Sequence, residues 1–534
     1  MSISKEFWAV LAIALIGATV TSLVGMRSDV SLGDEVYHFY MAKRWVEGGH
    51  RPTEEFQIHA NPLARRKYTA MPLWHAGLAA IWSVTGIRQD VAQVYQGAWY
   101  VAFVLVMYDL GRRLYRRRVG FWTALLAATM PFIAVFTSLL YVDVAATTLS
   151  TLVLSCLVRR WFLRAGVVLG LAFLAKQNTY FLVPPIILSI LLLARGTFGR
   201  RLAWAIGCLA LAAVLHAPEL AWGYYNLGSM SHRHPGVQAL QPSQASPTAG
   251  PVMAAGEEAA PVKEVSYRFV HPSDFIRDPK MLVRYLGIPL WAGLALSLGR
   301  GTVDLRRRFK QGAKAWCRPT RGWILWLWVL MYIPPFAYFF HGFYGVRYLA
   351  PIMPMLCVIS AHSLFTLRTR WAWVMALGVL VTGAGQFAAA ETFLYEQRRL
   401  KPDMIEAYQW VVQNTEPNAG LLCQNTVLTP MTRRRAMWSS EASLPEIGYL
   451  LWEANEKEAC HILRRYAVDY IFVERARIYD DSTEHRLPDW PQSFVTKLEG
   501  WPSMKLVFRN NAAAIWRLPK TAPPTSPSLT PEDP

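Results

Sequence analysis

Cysteine is scarce in this chain of 534 residues. None of its six Cys residues lies at a metal-site spacing from another, which excludes a cysteine-based metal centre. Cys423 and Cys460 leave two alternatives open. They form a disulfide if their segment is extracytoplasmic, or they are two separate buried thiols.

Acidic residues are outnumbered by basic ones, 36 to 55, which gives a net charge of +19. Such a surplus suggests a nucleic-acid partner until the cations are placed on the chain. They gather in five short connections between apolar runs, at 112–118, 159–164, 195–201, 300–321 and 368–370. The five connections hold five, three, three, eight and two cations and one acid, so they account for the whole surplus. Basic connections of this kind are typical of cytoplasmic loops, and no nucleic-acid partner is needed.

Long polar stretches are also few, since 53% of the residues are hydrophobic and 22 are Trp. This composition predicts a polytopic α-helical membrane protein. The first apolar run, 7–25, is too long for a typical signal sequence and lacks a small-residue cleavage site, which favours a transmembrane helix.

Placing every basic connection in the cytoplasm predicts about eleven transmembrane helices, with the N-terminus cytoplasmic and the C-terminal domain extracytoplasmic. The predicted spans are 7–25, 91–110, 121–140, 142–158, 165–175, 180–194, 202–222, 282–298, 322–340, 347–365 and 371–390. The apolar piece 72–86 is shorter than the ~20 residues of a crossing, so it is interpreted as a juxtamembrane helix on the outer surface.

The pattern divides the chain into a transmembrane domain, 1–390, a small extracytoplasmic α/β domain, 391–520, and a disordered tail, 521–534. The first outer loop, 27–90, carries the juxtamembrane helices. A second outer loop, 223–281, is rich in Pro, Ala, Gln, Ser and Gly at its centre, where disorder is expected.

Within 391–520 the periodicity predicts alternating helices and strands. Helices are expected at 404–414 and 456–466, and strands at 421–424, 470–473, 505–509 and 513–518. No Gly-rich loop follows a strand, so a nucleotide site is not expected there.

The stretch from Gly33 to Trp45 follows the first span and contains Asp34, Glu35 and His38. In a helix, Asp34 and His38 share one face with Glu35 beside them, which leaves acid, base and metal-ligand roles open. Because acids also favour the first turn of a helix, a solvated helix start and an active site are both compatible with the spacing.

With the predicted topology, polar residues from six regions meet at the outer membrane face. They are Asp34, Glu35, His38, Lys67, Asp143, Lys176, Gln177, Asn178, His341 and Arg347. Taken singly, Lys176 and His341 are better explained as snorkelling or capping residues. Together, acids and cations at a lipid interface suit a substrate that carries phosphate and a reaction that needs a base.

Three short motifs in this order resemble the GT-C glycosyltransferases, integral membrane enzymes that use polyprenyl-phosphate-linked sugars. They are Gly33-Asp34-Glu35, Met71-Pro72-Leu73-Trp74 and Arg347-Tyr348-Leu349-Ala350-Pro351. Over most of residues 1–390 this pattern is similar to the dolichyl-phosphate-mannose and aminoarabinose transferases, and the segment after the last span resembles the outer domains of bacterial members. Locally, Asp34-Glu35-Val-Tyr-His38 and Lys67-Tyr-Thr-Ala-Met-Pro72 resemble the dolichyl-phosphate-glucose α-1,2-glucosyltransferase branch. Ala70 and Lys176 depart from that branch, so the resemblance leaves the sugar and the acceptor open.

The resemblance implies a catalytic group of Asp34, Glu35 and His38. Asp34 would deprotonate an acceptor hydroxyl, and the sugar would be transferred with inversion. The neighbouring Glu35 would tune this base, because two close carboxylates cannot both ionise freely. No cofactor is expected, and a divalent metal is not required, although these three residues could ligate one.

The resemblance also implies how the substrates would bind. Lys67 and Arg347 would hold the lipid phosphate, and Asp143 would orient the acceptor or His38. Gln177 and Asn178 would contact sugar hydroxyls. The remaining candidates for substrate binding are Lys176, His341 and Tyr348.

The expected partners are a polyprenyl-phosphate sugar donor, a lipid or glycan acceptor and the membrane itself. By analogy with the family, that membrane is a bacterial plasma membrane. Two other classes stay open, a transporter or flippase for lipid-linked sugars and a non-catalytic assembly protein. Transporters usually show paired repeats and broken helices at the bilayer midplane, and neither is apparent in the sequence, whose polar residues collect at one face. An assembly protein would leave the grouped acids and cations without a purpose.

Overall fold

A computed structural model of the chain describes residues 5–27, 30, 33–53, 71–227, 287–311, 322–339, 346–365, 369–398, 402–423, 428–438, 449–451, 454–474 and 492–519. These residues fall into two compact units. The first comprises 1–51, 69–232 and 243–399, and the second is mainly 400–534. The centre of the predicted loop 223–281 and the predicted tail 521–534 lie outside the described residues.

The first unit is built of helices. They are α1 (Lys5–Met26), α2 (Gly33–Gly48), α3 (Pro72–Thr85), α4 (Gln89–Leu114), α5 (Arg117–Ala128), α6 (Pro131–Ser138), α7 (Asp143–Val158), α8 (Phe162–Ala175), α9 (Val183–Leu193), α10 (Phe198–Leu227), α11 (Ile288–Gln311), α12 (Trp323–Phe339), α13 (Met353–Phe365) and α14 (Thr369–Arg398). Two short 3₁₀ segments, Gln177–Leu182 and Val346–Ile352, precede α9 and α13. Every predicted span and the predicted juxtamembrane helix 72–86 therefore contain helix.

One predicted span is bent rather than straight. The segment 121–140 was expected to be a single helix, but α5 and α6 meet at an angle of 52° around Thr129 and Met130. Pro131 explains the break, because proline cannot donate the backbone hydrogen bond that would continue α5. The single-helix prediction is wrong here.

Three helices of the described residues, α1, α4 and α10, are long and apolar enough to cross a membrane. The bent pair α5 and α6 adds a fourth candidate, and the other apolar helices are shorter. The chain is thus an integral membrane protein by its apolar helices, and the number of eleven spans stays a prediction.

Helices α8 and α10 pack unusually closely because two glycines of α8 face α10. A Cβ atom at Gly166 would lie 2.3 Å from the carbonyl oxygen of Cys208. At Gly170, a Cβ would lie 2.8 Å from the Leu215 side chain. Glycines four residues apart allow backbones to approach in this way. The contact holds α10 beside the 3₁₀ segment that follows α8.

The second unit is an α/β domain. Its elements are α15 (Pro402–Asn414), β1 (Gly420–Cys423), α16 (Leu428–Thr432), β2 (Arg435–Trp438), α17 (Glu456–Arg465), β3 (Tyr470–Glu474), α18 (Gln492–Gly500), β4 (Lys505–Arg509) and β5 (Ala513–Arg517). The sheet has the order β2-β1-β3-β5-β4. Strands β1, β2 and β3 are parallel, and β5 is antiparallel to its neighbours β3 and β4.

The predicted helices and strands of this domain are confirmed, and α16, β2 and α18 are additions. Strand β2 has four residues at the sheet edge and follows a run of arginines, so it carries little hydrophobic signal. Its neighbour α17 begins with a capping box, in which Asn455 accepts from the Glu458 amide and the Glu458 side chain accepts from the Asn455 amide. Cys423 and Cys460 are both buried and are not joined by a disulfide.

Candidate active site

Helix α2 presents its two carboxylates differently. Asp34 and Glu35 lie in its first turn, where the helix dipole favours negative charge. Glu35 and His38 point to the buried side of the helix, whereas Asp34 is half-buried. Asp34 is therefore the more accessible carboxylate of the pair.

His38 contacts a second histidine, which lies on α3. Its Nδ1 atom is 2.9 Å from Nε2 of His75. The other ring nitrogen of His75, Nδ1, lies 3.1 Å from the backbone oxygen of Met71. His75 is fully buried, and desolvation lowers its pKa to about 3, so it is neutral at physiological pH.

Aromatic rings enclose the histidine pair. The ring of His38 lies 5.9 Å from that of Trp74 and 5.8 Å from that of Tyr141. The indole Nε1 of Trp74 donates to Oε1 of Gln96 at 2.8 Å. The amide nitrogen of Gln96 in turn donates to the backbone oxygen of Tyr141 at 2.8 Å. These contacts tie α2 and α3 to the turn that precedes α7.

Asp143 begins α7, two residues after Tyr141. It is almost completely buried, and its Oδ1 atom accepts a hydrogen bond from Nζ of Lys176 at 2.5 Å. Asn178 follows as a buried residue of the 3₁₀ segment, and Gln177 is half-buried. The carboxylate and the ammonium group thus neutralise each other in a largely dry setting.

The predicted site residues fall into two groups. In the first group, His38 contacts Tyr141, which lies two residues before Asp143, and Asp143 binds Lys176. Lys67 and His341 lie outside the described residues, as do the side chains of Arg347 and Tyr348. The backbone 346–352, which carries Arg347, packs against α7 and the 3₁₀ segment 177–182.

Sequence analysis missed an ion pair between the segment after α2 and helix α10. Nη2 of Arg51 donates to Oε1 of Glu219 at 2.7 Å, and Nη1 donates to Oε2. The guanidinium carbon lies 3.4 Å from the ring centre of Trp222. The sequence does contain an indication of this pair, because Glu219 is an acid inside the predicted span 202–222 and a buried acid there requires a partner.

A second missed contact joins α10 to the 3₁₀ segment 177–182. The hydroxyl of Tyr180 lies 2.8 Å from Nε2 of His216. His75 was also absent from the predicted site, although a histidine in an apolar helix is a recognisable signal. Among the described residues, no group of three or more His, Cys, Asp or Glu side chains could hold a metal ion.

Comparison with known families gives one match. Residues 70–222 match the model of the dolichyl-phosphate-mannose-protein mannosyltransferase family. The matched region runs from α3 into α10 and includes His75, Asp143, Lys176 and Glu219. A comparison with curated proteins gave no significant match.

Solved structures resemble the fold over nearly the whole chain. ArnT from Cupriavidus metallidurans in the apo state has a TM-score of 0.64 at 14% identity, covering 96% of this chain and 98% of that one. ArnT bound to undecaprenyl phosphate has a TM-score of 0.57 at 13% identity, with the same coverage.

The oligosaccharyltransferase AglB from Archaeoglobus fulgidus, in complex with an inhibitory peptide and a dolichol-phosphate, has a TM-score of 0.58 at 12% identity. The match covers 89% of this chain and 70% of that one. At these identities the likeness establishes a shared fold.

Proposed function

We propose that this chain, a membrane glycosyltransferase of the GT-C superfamily, transfers a sugar from a polyprenyl-phosphate-linked donor to a lipid or glycan acceptor on the extracytoplasmic face. The observation that carries the proposal is the contact of His38 of α2 with Tyr141, which lies two residues before the buried Asp143 that binds Lys176. Burying charge is costly, and a structure that gathers it at one end of its helices suits a charged substrate.

Asp34 is proposed as the general base, because it is the more exposed of the two carboxylates at the start of α2. It takes the proton of an acceptor hydroxyl while the hydroxyl oxygen attacks the anomeric carbon. The bond from that carbon to the phosphate oxygen breaks, and polyprenyl phosphate leaves. The configuration at the anomeric carbon is thereby inverted. Glu35, buried in the same helical turn, is proposed to tune this base.

Cations are assigned to the leaving phosphate. Lys67 and Arg347 are proposed to bind it and to offset the charge that develops on it in the transition state. His341 and Tyr348 are proposed as further ligands on the same side. Support comes from the backbone 346–352, which packs against α7, where Asp143 lies.

The 3₁₀ segment after α8 is assigned to the sugar. Gln177 and Asn178 are proposed to hydrogen-bond its hydroxyls, and Lys176 is proposed to keep this segment in place through Asp143. The mechanism requires no metal or other cofactor, because the base and the cations are supplied by side chains.

We place the protein in a bacterial plasma membrane with about eleven spans, a cytoplasmic N-terminus and an extracytoplasmic C-terminal domain. A reporter enzyme fused after Pro534 tests this topology. Activity outside the cytoplasm is expected, and a cytoplasmic signal would contradict it.

The decisive experiment supplies a panel of labelled polyprenyl-phosphate sugars to membranes that contain the wild type or Asp34→Asn. The wild type is expected to transfer label from at least one donor into lipid or glycan, and Asp34→Asn to lose this activity with normal insertion. If neither protein transfers label from any donor, the proposed function is wrong.

A further inference from the structure

Gln96 of helix α4 uses its whole side-chain amide in hydrogen bonds. Its Oε1 atom accepts from Nε1 of Trp74 at 2.8 Å. Its Nε2 atom donates to the backbone oxygens of Phe136 at 3.0 Å and of Tyr141 at 2.8 Å. Because an indole nitrogen only donates and a carbonyl oxygen only accepts, these partners allow the amide a single orientation. The residue is completely buried, so each of these groups would be costly to leave without a partner.

The two carbonyls lie on either side of the point where α6 ends. The last four carbonyls of a helix have no partner within that helix, and Phe136 lies in the last turn of α6. Tyr141 lies in the connection 139–142, and its amide nitrogen is 3.4 Å from the Phe136 oxygen. By binding both oxygens, Gln96 closes this connection. Asp143 follows directly as the first residue of α7.

The bond to Trp74 places the same amide against helix α3. The ring of Trp74 contacts that of His38, and Trp74 shares a buried apolar cluster with Leu140 and Val142 of the connection. Apolar packing holds such elements together without a preferred direction, whereas hydrogen bonds are directional. Gln96 therefore adds a directional contact between α3 and the connection.

We propose that Gln96 is a positioning residue, which holds the connection 139–142 in one arrangement against α3 and thereby sets the position of Asp143 and its partner Lys176. The proposed sugar-binding segment follows Lys176 directly, so a shift of Asp143 would displace that segment. A misplacement of about 1 Å can cost about 10²-fold in rate even when it arises far from the reacting atoms. This inference rests on the proposed transferase function.

Transfer assays on the full-length protein test the inference, with kcat expressed per folded molecule and the unfolding midpoint recorded for each variant. Gln96→Met keeps a side chain of similar length and removes all three hydrogen bonds. We expect kcat to fall by about 10- to 100-fold. Wild-type kcat in the folded molecules of this variant would mean that Gln96 serves stability alone, and would overturn the inference.

Gln96→Glu contains its own rescue. A protonated carboxyl at this position donates one hydrogen bond to a carbonyl and accepts one from Trp74, whereas an ionised carboxylate only accepts and faces two carbonyl oxygens. The ratio of its kcat to that of the wild type should therefore decrease as the pH rises from about 5 to about 9, the interval in which buried Glu residues titrate. If Gln96→Met does not fold, this ratio decides, and a constant ratio overturns the inference.

The matched control is Gln93→Met. Gln93 lies one turn earlier on α4, is equally buried, and donates to the backbone oxygen of Ser138 at 3.0 Å. Since this bond reaches the end of α6 rather than α3, its removal should lower the unfolding midpoint and leave kcat per folded molecule close to that of the wild type. An equal loss of kcat in Gln93→Met and Gln96→Met would overturn the specific role of Gln96.

The proposed function and this inference fail separately. Absence of transfer by the wild type contradicts the proposed function. Normal transfer by the wild type, together with wild-type kcat per folded molecule in Gln96→Met, contradicts the role of Gln96 alone.

Discussion

An aspartate is paired with basic side chains at each end of helix α7, but the two groups differ in exposure and in the number of cations. At its start, Asp143 is 1% exposed and is paired with Lys176, whose side chain is 15% exposed. Beyond its end, Arg159 is 22% exposed and binds Asp109 of α4, which is 15% exposed. Asp109 also binds Arg112 and Arg113, whose side chains are 39% and 37% exposed.

The difference lies in desolvation and in the balance of charge. The three arginines around Asp109 are 22% to 39% exposed, so they keep part of their own hydration and leave a positive excess, which is typical of a cytoplasmic loop. One acid and one cation, both largely withdrawn from water, cost much more to bury. We therefore interpret the pair at the first end as part of the proposed site, and the pairs at the second end as part of the predicted cytoplasmic connections.

The largest expected effect comes from Lys176→Met, which leaves Asp143 buried without its cation. Removing one partner of a buried pair costs about 3–5 kcal/mol of folding stability. The unfolding midpoint in lipid nanodiscs should fall accordingly, and the double variant Asp143→Asn/Lys176→Met should recover much of the loss. A midpoint equal to that of the wild type would mean that this pair is hydrated like the one at Asp109.

Arg51→Lys should have a smaller effect, because it keeps the charge next to Glu219 while it removes the bidentate geometry and the stacking on Trp222. We expect a loss of about 1.5–3 kcal/mol, the range for a hydrogen bond to a charged group. The same unfolding measurement checks it, with Arg113→Lys as the matched control. An equal loss in both variants would contradict the distinction between the two ends.

The helices could be predicted from the sequence because apolar runs and basic connections are strong local signals. The approximate positions of the first-unit helices follow from these signals, and periodicity predicts four of the five strands of the second unit. The bend at Pro131 also had a local signal, although a continuous span was predicted. Strand β2 had almost no local sequence signal, because four residues at a sheet edge acquire their structure from the neighbouring strand β1.

The candidate site was predicted in part. Asp34, His38 and Asp143 stood out because acids and histidines next to apolar runs are costly. Which residues pair with each other could not be predicted, since a pair such as Arg51 and Glu219 is separated by 168 positions in the sequence. Spacing along the chain identifies faces of single helices, whereas contacts such as His38 to His75 depend on how the helices pack.

A half-buried acid in the second unit extends the comparison, because no ion pair among the described residues includes it. Within the part of the chain that the structure describes, Oε1 of Glu474 has no hydrogen-bond partner, and burial raises the pKa of this carboxyl from 4.5 to about 8. Between these values the folded chain keeps the proton and the unfolded chain releases it. Stability should therefore fall as the pH rises from about 4.5 to 8, and then level off.

Hydrogen exchange of β3 in the full-length protein measures this effect, after correction for the intrinsic exchange rate at each pH. Protection of 470–474 should decrease from pH 5 to pH 8, and Glu474→Gln should abolish the dependence. A flat profile in the wild type would indicate that Glu474 is ionised in the folded state.

Asp109→Asn is expected to have the smallest effect. Its cations are partly exposed, and pairs of this kind contribute about 0–1 kcal/mol. The unfolding midpoint and the rate of sugar transfer should both stay close to those of the wild type. A loss of stability as large as that of Lys176→Met would mean that Asp109 is a buried charge like Asp143. The two ends of α7 would then not differ in the way described.

The most direct test of the central claim is the rate of sugar transfer from the polyprenyl-phosphate donor, measured side by side for Asp34→Asn and Asp109→Asn at matched insertion levels. We predict that Asp34→Asn loses about 10²-fold or more, as expected for removal of a general base, and that Asp109→Asn transfers sugar at the wild-type rate. Wild-type transfer by Asp34→Asn would contradict the assignment of catalysis to this end of the molecule.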